Sequence, residues 1–121
     1  MARIMNFEKG DIIDVNLEPT IGFETGKIRP CIIVTNNVYN KYLPVIQVVP
    51  ITTWSDKKSN IKSNIELLPD KENGLTKKSI ADCLQTRPID IEKRFVNRRG
   101  HISKSTLQKI DEAIKIVFDL T

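Results

Sequence analysis

The sequence predicts a mainly β domain that ends in one α-helix, its strands wrapped into a small barrel or a strongly bent antiparallel sheet. Three observations carry this. Five or six short apolar runs, rich in Ile and Val, are separated by turn-forming residues. A loop over residues 18–29, with Pro19, Gly22 and Gly26, is long for a compact domain and marks a functional segment. The C-terminal segment repeats apolar side chains at helical spacing.

In chain order, residues 10–17 alternate Ile12, Ile13, Val15 and Leu17 with Asp11, Asp14 and Asn16, which predicts a half-buried first strand. After the long loop, residues 30–35 form a second strand. Pro30 biases Arg29 toward an extended backbone, because the proline ring clashes with a helical predecessor. Residues 36–44, with Tyr39 and Tyr42, turn the chain, with room for one helical turn, before a third strand at 45–52. Pro50 inside that strand predicts a bulge or an edge position, since proline cannot donate to the ladder. Residues 55–63, carrying Lys57, Lys58 and Lys62, read as a mobile polar loop that could clamp a phosphate chain. Two more strands, 65–68 and 79–84, are joined through a turn containing Asn73-Gly74. An extended piece at 85–89 follows, and the densest basic run, with Arg94, Arg98 and Arg99, reads as a solvated face. Ser103 or Ser105 then caps a helix with Leu107, Ile110, Ala113, Ile114, Val117 and Phe118 on one stripe.

At 121 residues the chain is expected to be a single domain, 1–121, large enough to bury one core without a staple. A hydrophobic content of 40% with 28% charged residues excludes a disordered or fibrous class. The net charge of +4 and pI near 9.1 favour polyanionic partners, although charge alone is equally the mark of a solvated surface. Cys31 and Cys83 sit in apolar runs and read as buried thiols of a reduced protein, with one disulfide between them left open by the spacing. No metal-ligand cluster accompanies them, so neither metal nor cofactor is expected. The first residues have no apolar h-region and no later run reaches membrane-span length, which predicts a cytoplasmic protein.

The order of short motifs resembles one family. Gly10-Asp11-Ile12, Leu17-x-Pro19-Thr20-x-Gly22-x-Glu24, Gly26-x-x-Arg29-Pro30, the 32–36 strand and Val49-Pro50-Ile51-Thr52-Thr53 are similar to the MazF/PemK toxin endoribonucleases. So is Ile80-Ala81-Asp82-Cys83-Leu84-Gln85-x-Arg87-x-Ile89-Asp90, followed by Gly100 and the capped helix. The resemblance implies an SH3-like β-barrel of the CcdB-like type, a homodimer, metal-independent cleavage of single-stranded RNA, and an antitoxin partner whose acidic flexible tail covers the RNA groove. At Leu84 some relatives carry an acidic residue with an assigned role, which cannot be transferred here.

Cleaving RNA without a metal requires a base for the 2′-hydroxyl, stabilisation of the phosphorane-like transition state, and a proton for the departing 5′-oxygen. The single histidine, His101, lies in no motif and reads as structural. Arg29 suits the transition state, since a guanidinium donates two parallel bonds to phosphate oxygens and keeps its charge. Its plain alternative is an ion pair with Glu24. The resemblance places a catalytic threonine at Thr52, which spacing alone does not separate from Thr53. Glu24 is a candidate base, an Arg29-orienting group or plain loop. Gln85 and Arg87 suit a base edge and a phosphate, with Thr53 beside them on the RNA track. Trp54, Tyr39 and Tyr42 are candidate stacking residues or core aromatics. Two other classes fit the same barrel: a non-catalytic toxin that docks on a protein such as DNA gyrase, and an SH3-like module that binds proline-rich peptides.

Overall fold

The structure, a computed structural model, describes residues 5–120. Part of the polar lead read as lacking an apolar h-region, residues 1–4, lies outside the described residues. The elements are β1 (Asp11–Asn16), β2 (Ile28–Ile33), α1 (Asn37–Tyr42), β3 (Val45–Thr53), α2 (Asp56–Ser59), β4 (Asn64–Leu67) and β5 (Ser79–Asp82). A 3-10 turn (Cys83–Gln85) leads to β6 (Arg87–Asp90), α3 (Ile91–Arg94), β7 (Phe95–His101) and α4 (Lys104–Phe118). All pairings are antiparallel, in the order β4-β5-β3-β2-β1-β7, with β6 also paired to β3.

The organising strand is β3. One of its edges runs along β2, while the other pairs with β6 through Val48 and with β5 from Ile51. Pro50 stands where β3 leaves β6 and takes up β5, so its missing N–H falls at a break in the ladder rather than on an outer edge. The first strand is also not half-buried in the expected way. Ile12 and Ile13 point to opposite faces, and both are fully buried. One face, with Ile12, Ile32, Val49 and Ile51, packs under Ile110 and Ala113 of α4. The other, with Ile13, Val15, Cys31, Ile33, Ile46, Val48 and Ile89, fills the inside of the curved sheet. Two buried faces explain why the sequence alternates only loosely.

Local departures from expectation have local causes. Strand β2 begins at Ile28, so Arg29 is a strand residue paired with Val15. Within 55–63, taken from sequence as a loop, Ser55 Oγ accepts from Lys58 N at 3.2 Å and caps one helical turn. The strand expected over 79–84 stops at Asp82, where the 3-10 turn begins. The basic run is not a solvated face but a clamp on β1 and the loop after it. Arg99 Nε lies 2.6 Å from Asp14 Oδ1, Arg98 pairs with Asp11 at 3.4 Å, and Arg94 Nη1 donates to the Asn16 and Glu18 carbonyls. Cys31 and Cys83 are free thiols in separate clusters, each pushed up to about 12 by burial. No helix among the described residues is long and apolar enough to cross a membrane.

Helix α4 is capped by Ser103, whose Oγ accepts from Thr106 N at 3.2 Å. Its stripe of Leu107, Ile110, Ala113, Ile114 and Val117 makes the helix a structural lid on one core face, whereas Phe118, expected on that stripe, is exposed at the helix end. Ile110→Ala is therefore expected to cost about 2–5 kcal/mol of unfolding free energy, and exposed Gln108→Ala on the same helix about 0.5 kcal/mol or less. Urea unfolding monitored by circular dichroism measures both, and equal effects would contradict the packing described.

Candidate active site

The inner stripe of the sheet turns polar at one end. On β2 the stripe runs Ile33, Cys31, Arg29, and on β3 it runs Ile46, Val48, Pro50, Thr52, because residues two apart share a face. The ladder aligns Ile32 with Val49 and Cys31 with Pro50. The ladder ends at that pair, and Arg29 and Thr52 are the next residues on the same face of their strands, at the mouth of the barrel. A cavity of about 290 Å³ opens there, with Arg29, Thr52, Thr53, Lys77, Ser79 and Arg99 as polar lining and no carboxylate among its lining residues.

Each group has a defined local setting. Arg29 Nε donates to the Gly26 carbonyl at 3.2 Å, which aims the guanidinium and spends only one of its five N–H groups. Among the described residues Arg29 has no carboxylate partner, so the alternative of an ion pair with Glu24 is not what the structure shows. Thr52 is only 8% exposed, and its Oγ1 lies 3.4 Å from Lys58 Nζ. A hydroxyl that accepts from an ammonium must send its own proton elsewhere. Lys58 also draws on Asp82, whose carboxyl is raised by burial and pulled back by the Gln85 N–H, the Lys58 charge and the Leu84 N–H.

Glu24, Gln85 and Arg87 line a second cavity of about 280 Å³, with Pro19, Thr25 and Leu84. Here Glu24 Oε1 accepts from Ile21 N at 2.8 Å and so shapes its own loop instead of orienting Arg29. Gln85 uses both ends of its amide on that loop: Oε1 accepts from Thr25 N and Nε2 donates to the Phe23 carbonyl, each at 3.2 Å. Arg87 Nη1 donates to the Leu17 carbonyl at 2.9 Å. Arg87 lies opposite Val48 on the inner stripe, and its charge and that of Arg29 both act on the buried Cys31 thiol. The two guanidiniums therefore act on one stretch of sheet, opposed there by the charge of Asp14.

Sequence reading missed Lys77, Ser79 and Arg99 as cavity residues, and it named Lys58 with Lys57 and Lys62 as a phosphate clamp without its contact to Thr52. The first two reach the site only because β5 folds back on β3, with Ser79 opposite Thr53. His101 sits 3.6 Å from Glu72, both more than half exposed, and lines neither cavity. Among the aromatic candidates, Trp54 already carries the Lys78 ammonium at 3.9 Å over its ring, while Tyr39 and Tyr42 lie half-exposed on α1. Among the described residues no group of three or more His, Cys, Asp or Glu is gathered where a metal ion could be held.

A bent antiparallel barrel with a guanidinium and a hydroxyl at its mouth, beside Lys77 and Arg99, is the class of small β-barrel protein that the fold and the cavity define. Residues 8–118 match the family described as PemK-like, MazF-like toxins of type II toxin-antitoxin systems, and the chain belongs to that family. It is 32% identical over 112 residues to the endoribonuclease MazF of Staphylococcus epidermidis, covering 93% of this chain and 91% of the relative. To endoribonuclease EndoA of Bacillus subtilis it is 29% identical over 112 residues, covering 93% and 94%. Among solved structures it resembles Mycobacterium tuberculosis toxin MazF-mt6, with a TM-score of 0.74 at 27% identity over 92% of this chain and 98% of that one. The MazF of Deinococcus radiodurans shares the fold, with a TM-score of 0.80 at 17% identity over 96% and 99% of the two chains.

The loop that carries Glu24 is organised by Glu18. Its carboxylate accepts from Lys27 N and from the amide and hydroxyl of Thr20, and these bonds, the Lys27 amide first, hold its pKa below the ordinary 4.5. A Cβ at Gly26 would displace the Glu18 carboxylate and the Thr20 hydroxyl from this arrangement. A depressed carboxylate stabilises the folded loop above its unfolded pKa and loses that contribution as pH falls through the folded one. The Thr20 and Lys27 amide resonances are thus expected to titrate together with a midpoint below 4.5, and the titration is expected to vanish in Glu18→Gln. Two unrelated midpoints would contradict a shared carboxylate anchor.

Proposed function

We propose that this chain is a toxin endoribonuclease that cuts single-stranded RNA in the cytoplasm, selectively by sequence and without a metal ion. The reading is supported most by one observation: Arg29 and Thr52 line the same cavity, just beyond Cys31 and Pro50, where the β2–β3 pairing ends. In the proposed reaction the 2′-oxygen attacks the adjacent phosphorus as its proton leaves. The P–O5′ bond breaks, the 5′-oxygen takes up a proton, and the products carry a 2′,3′-cyclic phosphate and a 5′-hydroxyl.

The residues divide that work by their chemistry. Arg29 donates to the non-bridging oxygens on which charge accumulates, in a cavity whose lining adds Lys77 and an Arg99 held by Asp14. Thr52, its lone pair occupied by Lys58, turns its proton to the phosphate. Glu24 is assigned the 2′-hydroxyl proton, from the cavity beside that of Arg29, its loop tethered to Arg29 through the Gly26 carbonyl. Thr53, Gln85 and Arg87 extend the track on which RNA lies. The structural relatives include an endoribonuclease solved with its cognate antitoxin and MazE-MazF complexes. An antitoxin with an acidic, flexible tail suits the same cationic surface here, and a homodimer is the assembly this reading adopts.

A long single-stranded RNA incubated with the protein in EDTA is expected to be cut at discrete positions. Arg29→Ala and Thr52→Val should each lower the rate about 100- to 1,000-fold, the usual effect of removing one oxyanion donor. Glu24→Gln should lower kcat without raising KM. Intact RNA, or cutting that survives loss of Arg29 and Thr52, would sink the proposal, and capture of gyrase without cleavage would favour the non-catalytic toxin.

A further inference from the structure

The loop between β1 and β2 presents an aromatic ring that the fold does not use. Phe23 is 102% exposed relative to its reference state, more than any other large hydrophobic side chain among the described residues. Its backbone is nevertheless tied down. Glu24 N donates to the Ile21 carbonyl at 3.2 Å, the Glu24 carboxylate receives Ile21 N, and Gly22 makes the turn at φ +58. Gln85 then grips the Phe23 carbonyl and the Thr25 amide, one on each side of Glu24. A pinned backbone that holds an aromatic ring wholly in water serves no packing purpose.

The surroundings say what such a ring can meet. Glu24 and Thr25, the next two residues, line the cavity with Gln85 and Arg87, and exposed Leu84 stands on the same cavity's rim. Arg87 and Arg29 supply positive charge along the adjoining sheet. An aromatic face beside a cationic track is the arrangement that binds single-stranded nucleic acid, with bases stacked and phosphates neutralised. The amide of Gln85 is already spent on the loop, so base selection through its edge would first require those two bonds to break.

We propose that Phe23 stacks on an unpaired base of the bound RNA and that Gln85 is a positioning residue, which latches the Phe23 loop to the turn after β5. The inference rests on the reading of the chain as a single-stranded RNA nuclease. It assigns to Phe23 the binding and base preference of the nucleotide lying over the Glu24–Arg87 cavity, and none of the bond-breaking. The substrate class it fits is RNA with a splayed, unstacked base at that point, and paired RNA hides the face that Phe23 needs.

The test separates binding from cutting. Phe23→Trp in a Trp54→Phe background places a lone indole on the loop. Random-sequence 2′-O-methyl RNA 12-mers, which cannot be cut by 2′-attack, should quench it saturably, and a blunt duplex of the same length should not. On a cleavable single strand, Phe23→Ala should raise KM about 10- to 100-fold, the worth of one stacked base, with kcat changed by less than about threefold and Phe23→Tyr close to wild type. Gln85→Ala should raise KM in the same direction and shift the Phe23 and Thr25 amide resonances, where Gln85→Glu, which keeps the acceptor for Thr25 and loses the donor to Phe23, should fall between. An indole that ignores the 12-mers, one that responds equally to duplex, or one that responds only to a second copy of the chain overturns the assignment. So does a Phe23→Ala enzyme with unchanged KM. If the wild-type protein cuts no RNA while the indole is still quenched, the nuclease reading fails and the stacking site stands.

Discussion

The antiparallel register of β2 against β3 is the constraint on which the site depends. Ile32 faces Val49 and Cys31 faces Pro50, so the apolar inner stripe of both strands ends at the same level. Beyond that level Arg29 and Thr52 are the next residues on the shared face. A slip of one residue would turn Thr52 into the core under α4 and bring Ile51 to the mouth of the barrel. Both faces of these strands are buried, which makes such a slip costly and holds the pair in place. The change of partner along β3, from β6 to β5 around Pro50, then delivers Arg87 to one side of the mouth and Ser79 and Lys77 to the other.

Charge is distributed to match. The carboxylates of β1 are consumed by β7: Asp14 holds Arg99 and Asn97, and Asp11 holds Arg98. These pairs are partly solvated and add little stability individually, but they neutralise the acidic groups of β1, Asp14 through the cavity residue Arg99. What remains facing the mouth is positive. Burial raises the Asp82 carboxyl, and Lys58 lies close enough both to oppose that shift and to donate to Thr52. Lys58 thereby links a half-buried carboxyl on one strand to the hydroxyl on another.

Much of the fold was legible because hydrophobic spacing and turn residues act locally. The terminal helix, the third strand and the Asn73-Gly74 turn stand where those signals put them, and of the two serines they offered as cap the structure uses Ser103. What spacing does not contain is pairing. Nothing in the order of residues says that Arg94, Arg98 and Arg99 will be spent on β1 and on the carbonyls after it, or that Ser79 will oppose Thr53. Arg29 was visible through its chemistry and its proline neighbour, whereas the choice of Thr52 over Thr53 came from family resemblance alone. The roles open for Glu24 and Gln85 narrowed for a physical reason. Both side chains satisfy backbone groups of a long loop that has no ladder of its own. Phe23, surrounded in sequence by glycine and charge, carried no signal until its exposure was known.

The central claim is that the barrel mouth activates a 2′-hydroxyl for attack on the adjacent phosphate, and the chemistry of the cut ends tests it most directly. RNA fragments made by the protein should accept a 5′-label from polynucleotide kinase without prior phosphatase treatment. Their 3′ ends should resist ligation until the cyclic phosphate is opened and removed. Fragments bearing a 5′-phosphate and a free 3′-hydroxyl would contradict the account, because that outcome requires water and not the neighbouring hydroxyl to be the nucleophile.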